Sequence, residues 1–511
     1  MKRMDFPVVG SLHEDIITKV NAERTINMYE VFSPHGKKAN YLHPTPGKQE
    51  VGTFSDGNNG RASFVFKGFT YFVEGDTIYR MDSSLVLNII ALNFFTSLIG
   101  HIGIAANEFQ IIFVDGTKSF LWDTNTSTGI DNTPNIPTPG GPGSFGPLDV
   151  TYMDGSFLLI SGSSGFQNRF YVSALENGAL WPILDFALIN SRPTILNGIA
   201  VLKRRIFFFG ENKSEIWIDA GLSDFRFRRD NNLLLEHGVK AINSISQAFD
   251  RLFYLSGDID GVGSIMMIEG GISPQPISTR EMDERIQRYT MPEDAFGFAY
   301  KINGQVFYQI NFTADDHTFV FNASTKLWHE LEMANTLLDN EPNHRDTANT
   351  HAFFNNKHYI TTYNDSKLYE LSYNFFKNGD DKIKRTRICR TSSSPTYERI
   401  KYARMQLDML KGVGLTNTKG LPLPMSPIPT QAQLAAAGDV DPMVFLSVSD
   451  DGGVTYHTFG SESFGRAGDR NIRIIWRALG TYRDAIWRFE IYNAVPVYIV
   501  GAAIDMEVQP Q

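Results

Sequence analysis

At 511 residues the chain exceeds the size at which one hydrophobic core keeps growing, so two or more domains are expected. A composition of 42% hydrophobic and 20% charged residues excludes a largely disordered chain, and 43 glycines with 13% aromatics lean toward β-structure with many turns. The formal charge of -9 argues against a sequence-independent duplex binder, because such binding comes chiefly from Lys and Arg on phosphates. A neutral or negative wall would instead repel the DNA backbone and let it slide.

The start, Met-Lys-Arg-Met-Asp-Phe-Pro, has no apolar stretch after its basic pair, so export by a signal peptide is not expected. Cys389 is the single cysteine; it excludes an internal disulfide, reads as a small buried residue, and fits assembly in a reducing cytoplasm. Residues 1–55 precede any repeat and read as an arm or as a strand that closes a ring.

From residue 56 to 375 the sequence repeats one unit of apolar strand, tight turn, apolar strand, second turn and aromatic-bearing strand. The clearest unit runs from Ala62 to Met81 with turns at Lys67-Gly68 and Gly75-Asp76, and the next from His101 to Asp123 with turns at Asn107 and Asp115-Gly116. Later centres fall at Asp154-Gly155, Lys203-Arg204, Asp250, Asn303-Gly304 and Asn355-Asn356. A period of roughly 40 to 55 residues is that of propeller blades, and about seven are expected. Stacking the blades radially buries both faces of each small sheet and leaves only short edges. Phe207, Phe208, Phe209 and Trp217 in one unit, and Phe307, Phe319, Phe321 and Trp328 in another, are read as packing between blades rather than as a sugar-binding platform.

Residues Leu85 to Ala106 carry no charged side chain over a length that a membrane helix needs. Asn88, Asn93, Ser97 and His101 interrupt the run, and two strands with a turn fill the same length, so no membrane contact is expected. Pro137 to Pro147 reads as an exposed loop between blades.

After residue 375 the pattern changes, and 376–511 is expected to form a second, β-sandwich-like domain, interrupted by a Pro/Ala-rich arm at 412–441. Ser449, Asp451, Gly453, Thr455 and Tyr456 spell an Asp-box-like turn between the apolar run Val444–Val448 and the following strand, a structural feature common to many β-proteins. Arg466, Arg470, Arg473, Arg477, Arg483 and Arg488 then stand against Asp469 and Asp484, a local excess of four positive charges. On an alternating strand Arg473, Ile475 and Arg477 share one face and Ile474 and Trp476 the other, so Trp476 anchors in a core while guanidinium groups face outward. Solvation or local pairing within the domain is the simplest account of these arginines; they are also a candidate protein-docking surface, and contact with packaged DNA comes third.

No catalytic constellation, cofactor loop or metal motif is found. The pairs His13-Glu14 and His329-Glu330 lack a third ligand at a metal spacing along the chain. The enzymatic alternative is a glycan-binding or sialidase-like glycan-cleaving tail protein, since that class joins a propeller to Asp-box turns. A propeller enzyme draws its arginines from several blades, whereas these six lie in one stretch outside the repeats.

Two sets of words carry a resemblance. Phe6-Pro7-Val8-Val9-Gly10, Arg24 to Tyr29 and Thr45-Pro46-Gly47 at the start, with Ser449 to Tyr456, Arg473 to Gly480, Arg483-Asp484, Trp487 to Phe489 and Pro496 to Ala502 at the end, resemble the packaged-DNA stabilisation proteins of short-tailed phages, also called tail accessory factors or tail hubs. The resemblance implies a non-enzymatic virion protein, assembled in the host cytoplasm as a homo-hexameric ring below the portal and head-tail adaptor proteins. It implies a tail needle or plug below, tailspikes or fibres nearby, and a closed channel that retains DNA until ejection, with the protein bordering that DNA without sequence-specific binding.

Overall fold

Two-residue turns organise much of the chain. Lys67-Gly68, Asp154-Gly155, Lys203-Arg204, Asn303-Gly304 and Asn355-Asn356 have both residues at positive φ. That is the type I′ geometry, whose twist matches the strands it joins. In a computed structural model, which describes residues 2–509 other than 37, 56, 138–145, 163, 190–194, 223–224, 260, 335–342, 397 and 415–438, each of these turns joins the first two strands of a small antiparallel sheet. Part of the Pro137–Pro147 loop and most of the 412–441 arm lie outside the described residues.

Contacts divide the chain into two units, one of residues 50–315 and 347–370, the other of 1–49, 316–346 and 371–511. In the first unit, six meanders and one hairpin follow one another among the described residues. The first blade is Gly60–Phe66, Phe69–Glu74, Thr77–Met81 and Leu87–Ala91. Blades at 103–131, 147–188, 196–235 and 238–276 come next, then the hairpin Phe296–Ile302 with Gln305–Phe312, and lastly Ala348–Phe354, Lys357–Thr362 and Lys367–Ser372. The outer edge of the last blade is completed by the part of Gly47–Thr53 that belongs to this unit, with Glu50 bridged to Lys367 at 2.6 Å and the Phe54 amide donating to the Ser366 carbonyl at 2.8 Å.

Side-chain alternation along each strand feeds two different wedges, which is why the strands read as continuous apolar runs. Tyr71 and Val73 pack with Phe113 and Trp122 of the second blade, while Phe72 between them packs with Phe354 and Tyr359 of the last. Phe208 meets Phe170 of the third blade at 4.4 Å, and its neighbours Phe207 and Phe209 point into the next wedge with Leu252 and Tyr254. Further round, Phe253 stacks on Tyr308 at 4.8 Å and Tyr300 on His351 at 5.0 Å. The cluster of Phe207, Phe208, Phe209 and Trp217 is therefore interblade packing. Phe319, Phe321 and Trp328, read from the sequence as packing between blades, instead fall in the second unit, because strands His317–Asn322 and Leu327–Glu330 continue onto Ala22–Ile26. Fully burying each large side chain stabilises the fold by about 1.5–3 kcal/mol, so the wedges contribute much of the stability of the unit.

The uncharged Leu85–Ala106 stretch supplies the strands Leu87–Ala91 and Gly103–Ala106, and among the described residues no helix is long and apolar enough to cross a membrane. One short helix, Arg280–Ile286, has no counterpart in the sequence reading; the Thr279 side chain accepts from the Met282 amide at 3.4 Å, and Met282 and Ile286 are buried.

The second unit is a β-sandwich. One sheet runs Met28–Phe32, Asn40–Pro44, Ile499–Gln509, Arg399–Met409, Ile474–Tyr482, with Lys2–Phe6 also on Ile499–Gln509. The other runs His317–Asn322, Leu327–Glu330, Ala22–Ile26, Arg385–Ile388, Asp484–Ile491, Met443–Ser449, His457–Ser463. Between them lies a core that includes Met405, Leu407, Trp476, Trp487 and Phe489. Residues 1–49, set apart by the sequence reading as an arm or closing strand, belong to this sandwich: Ala22–Ile26 is a central strand, parallel to Leu327–Glu330 and antiparallel to Arg385–Ile388.

Candidate functional site

The Asp-box-like turn closes on itself. Asp451 accepts from Ser449 Oγ at 2.7 Å, from the Val454 and Thr455 amides at 3.0 Å and from Thr455 Oγ1 at 2.6 Å. The Gly453 amide donates to Ser449 Oγ at 2.8 Å. Gly452 and Gly453 both sit at φ near +90°, where a side chain would be strained. With the Thr455 hydroxyl and amide and the Ser449 hydroxyl aimed at it, the Asp451 carboxyl is held well below the usual carboxylate range. Its acceptor capacity is used inside the turn. Tyr456 extends from the turn under the Arg488 guanidinium, 4.0 Å from the ring centre, and Arg488 also bridges to Glu490 at 3.2 Å.

The arginines separate into different environments. Arg488 is turned inward; Arg466, Arg470, Arg473, Arg477 and Arg483 are exposed. Arg466 pairs with Asp441 at 3.3 Å, and Arg470 lies in the same loop, Phe464 to Arg473, whose backbone folds on Gly412. Pairing of Ile474–Tyr482 with Arg399–Met409 sets Ile474 opposite Leu407 and Trp476 opposite Met405 in the core, and Ile475 opposite Gln406 and Arg477 opposite Arg404 on the outer face. There Arg404 holds Asp505 at 2.7 Å and Arg3 donates to Gln406 at 2.7 Å. Arg483 follows the far end of this nine-residue strand, about 30 Å from Arg473 at 3.3 Å per residue. Four arginines, Arg466, Arg470, Arg473 and Arg477, thus lie along one end and edge of the sandwich, and two do not.

Folding also gathers charges that spacing along the chain does not reveal. His317, Glu330 and Glu332 come within 4.8 Å of one another, a set that could ligate a metal. Arg24 occupies the same carboxylates, its Nε 2.7 Å from Glu330 and its Nη2 2.7 Å from Glu332, while His317 Nε2 lies 2.9 Å from Glu330. Burial opposes the Arg24 charge, but Glu330, Glu332 and Glu14 outweigh it and hold its pKa above the ordinary value. The cluster is an ion-paired, hydrogen-bonded network whose carboxylates already hold the Arg24 guanidinium. Beside it His329 is pushed down to about 3 by burial, with Glu330 opposing, and is neutral at neutral pH.

What decides the identity is the match of the whole architecture. Residues 14–375 match the family model described as bacteriophage P22 Gp10, beta-propeller, and residues 428–507 the one described as bacteriophage P22 Gp10, beta-sandwich. The chain belongs to the P22 Gp10 family. It is a structural protein of a phage virion tail, of the packaged-DNA stabilisation class, with a β-propeller followed by a β-sandwich. No curated protein matches. Among solved structures, virginiamycin B lyase from Staphylococcus aureus aligns at 11% identity and TM-score 0.42, over 64% of this chain and 99% of that one. The extracellular domain of the hybrid two-component system BT4673 from B. thetaiotaomicron aligns at 11% identity and TM-score 0.42, over 88% of this chain and 61% of that one. PorZ of Porphyromonas gingivalis aligns at 11% and 0.38, over 63% and 38%.

Proposed function

We propose that the protein is a ring-forming tail hub that attaches below the portal and head-tail adaptor, closes the channel and retains packaged DNA until ejection. The observation that carries this reading is the family match, which spans the propeller and most of the sandwich. The physical design supports it. Interblade aromatic wedges make a stiff unit, and a net charge of -9 suits a wall that DNA passes without being gripped. On this reading six copies assemble in the host cytoplasm, a needle or plug closes the ring below, spikes or fibres attach nearby, and no catalysis takes place. The Asp-box-like turn fits that role because its carboxylate is consumed by its own turn and by nothing outside it.

Reconstitution tests the proposal. Portal-adaptor complexes from DNA-filled heads are mixed with the purified chain, and DNA release is followed by nuclease sensitivity. Binding with protection is the expected result; a chain that neither binds nor protects would overturn the hub reading.

A further inference from the structure

Arg385 is 0% exposed inside the sandwich unit and lies two residues before Arg387, on the same face of the strand Arg385–Ile388. Its Nη1 donates to the Asn493 carbonyl at 3.3 Å, but Nε and Nη2 have no hydrogen-bond partner. Those two nitrogens form the side-on edge of a guanidinium, whose parallel N–H groups match the two oxygens of a carboxylate-type anion. A buried pair of donors is rarely left without an acceptor.

Charge is missing here as well as an acceptor. Other enclosed cations of the sandwich hold carboxylates: Arg387 holds Glu23, Arg24 holds Glu330 and Glu332, Lys48 holds Asp346, and Lys384 holds Glu490. Among the described residues no carboxylate lies within ion-pair distance of Arg385. The acid whose field reaches it, Asp439, is engaged by Lys382 Nζ at 3.1 Å, the Asn493 side-chain amide at 3.3 Å and the Ala494 backbone amide at 2.9 Å. The sequence from 412 to 438, which leads into Asp439, holds no Asp or Glu. Burial pushes the Arg385 pKa down to about 10, with Asp439 and Tyr498 opposing, so the group remains a cation at neutral pH.

We propose that the side-on edge of Arg385 binds a small planar oxyanion of the carboxylate class, of formate or acetate size, inside the sandwich. The size follows from closure, since a guanidinium with no exposed surface admits neither a long ligand nor a side chain of a partner. Water would satisfy the two donors and leave the charge uncompensated, whereas a buried cation is tolerated when an opposite charge sits on it. The anion is a structural ligand, and the stability of the fold follows its concentration. The inference concerns the sandwich alone and is independent of the ring-forming reading above.

Carbon-13 NMR of the full chain in labelled formate tests the site, together with melting curves in formate against chloride at equal ionic strength. The wild type is expected to hold one formate per chain and to melt about 2–4 °C higher in formate than in chloride. Arg385→Met replaces the cation with an apolar side chain and is expected to show neither the bound signal nor the formate-specific rise. Arg385→Lys keeps the charge without the paired N–H groups, serves if the Met variant fails to fold, and is expected to bind formate at least about tenfold more weakly. General effects of the salts act on all three proteins alike, so the difference between wild type and variants is the readout. No bound formate in the wild type, which is the result a water-filled site gives, would overturn the proposal. Binding by the variants as tight as that of the wild type, or a wild type that melts no higher in formate than in chloride, would overturn it equally.

Discussion

Arg387 Nε donates to the Val8 carbonyl at 2.7 Å, a bond across 379 positions of the chain. The same fully buried guanidinium donates to Thr25 Oγ1 at 2.7 Å, to the carbonyls of Ser11 and Arg24, and to Glu23. One side chain therefore fastens the first 25 residues into the sandwich, on the two strands it lies between. Arg387→Met strands the Glu23 carboxylate and several carbonyls at once, and breaking a buried, hydrogen-bonded pair of this kind costs about 3–5 kcal/mol. A urea melt followed by tryptophan fluorescence is expected to show that loss. Arg387→Lys is expected to recover little of it, since an ammonium cannot present the planar fork; full recovery by Lys would show that charge alone is needed.

The wedges between blades predict unequal costs for one residue type. Phe208 is fully buried against Phe170 and Trp217, so Phe208→Ala leaves a cavity and should cost about 3–5 kcal/mol. Phe249, 64% exposed at a turn, should cost less than about 0.5 kcal/mol on the same change. Equal costs, measured by denaturant titration, would mean that the wedges do not hold the unit together.

The blades were legible because their signals are local. A type I′ turn demands positive φ, so Asp154-Gly155, Asn303-Gly304 and Asn355-Asn356 announce themselves through residues that tolerate it. Strands buried on both faces likewise read as short apolar runs, as Ile206 to Phe209 does. Long-range pairing leaves no such trace. Nothing near Ala22–Ile26 shows that it lies between Leu327–Glu330 and Arg385–Ile388, and nothing near Glu330 shows that Arg24, His317 and Glu332 converge on it. Alternation correctly separated Trp476 from Arg477, but the run of six arginines did not reveal that Arg488 turns back onto Tyr456.

The Asp451 carboxylate is expected to act locally. Asp451→Ala removes the acceptor for Ser449, Val454 and Thr455, so amide exchange at Val454 and Thr455 should quicken while the melting temperature of the chain barely moves. Because the folded carboxyl is held below its unfolded value, this ordering is complete above the ordinary carboxylate range near ~4 and is lost as pH falls toward the folded value. Exchange that is unchanged in the variant would show that the two glycines alone shape the turn.

Acid should loosen the sandwich through a histidine. His329 is 3% exposed, 5.5 Å from the Tyr29 ring, and burial holds its pKa near 3, below an unfolded value of about 6.5. The folded state therefore takes up this proton less readily than the unfolded chain. Its neutral form is fully accommodated above pH ~6.5, and stability is lost progressively as pH falls from there toward 3, by several kcal/mol on the order of one ~1.4 kcal/mol step per pKa unit. His351, lowered to about 3 by burial and by His358, adds a loss of the same sign in the propeller. His329→Phe removes the titrating group while keeping a ring beside Tyr29. Its urea midpoint, measured between pH 7 and 4, should fall less steeply than that of the wild type, and parallel curves for the two proteins would rule out His329 as a source of the acid sensitivity.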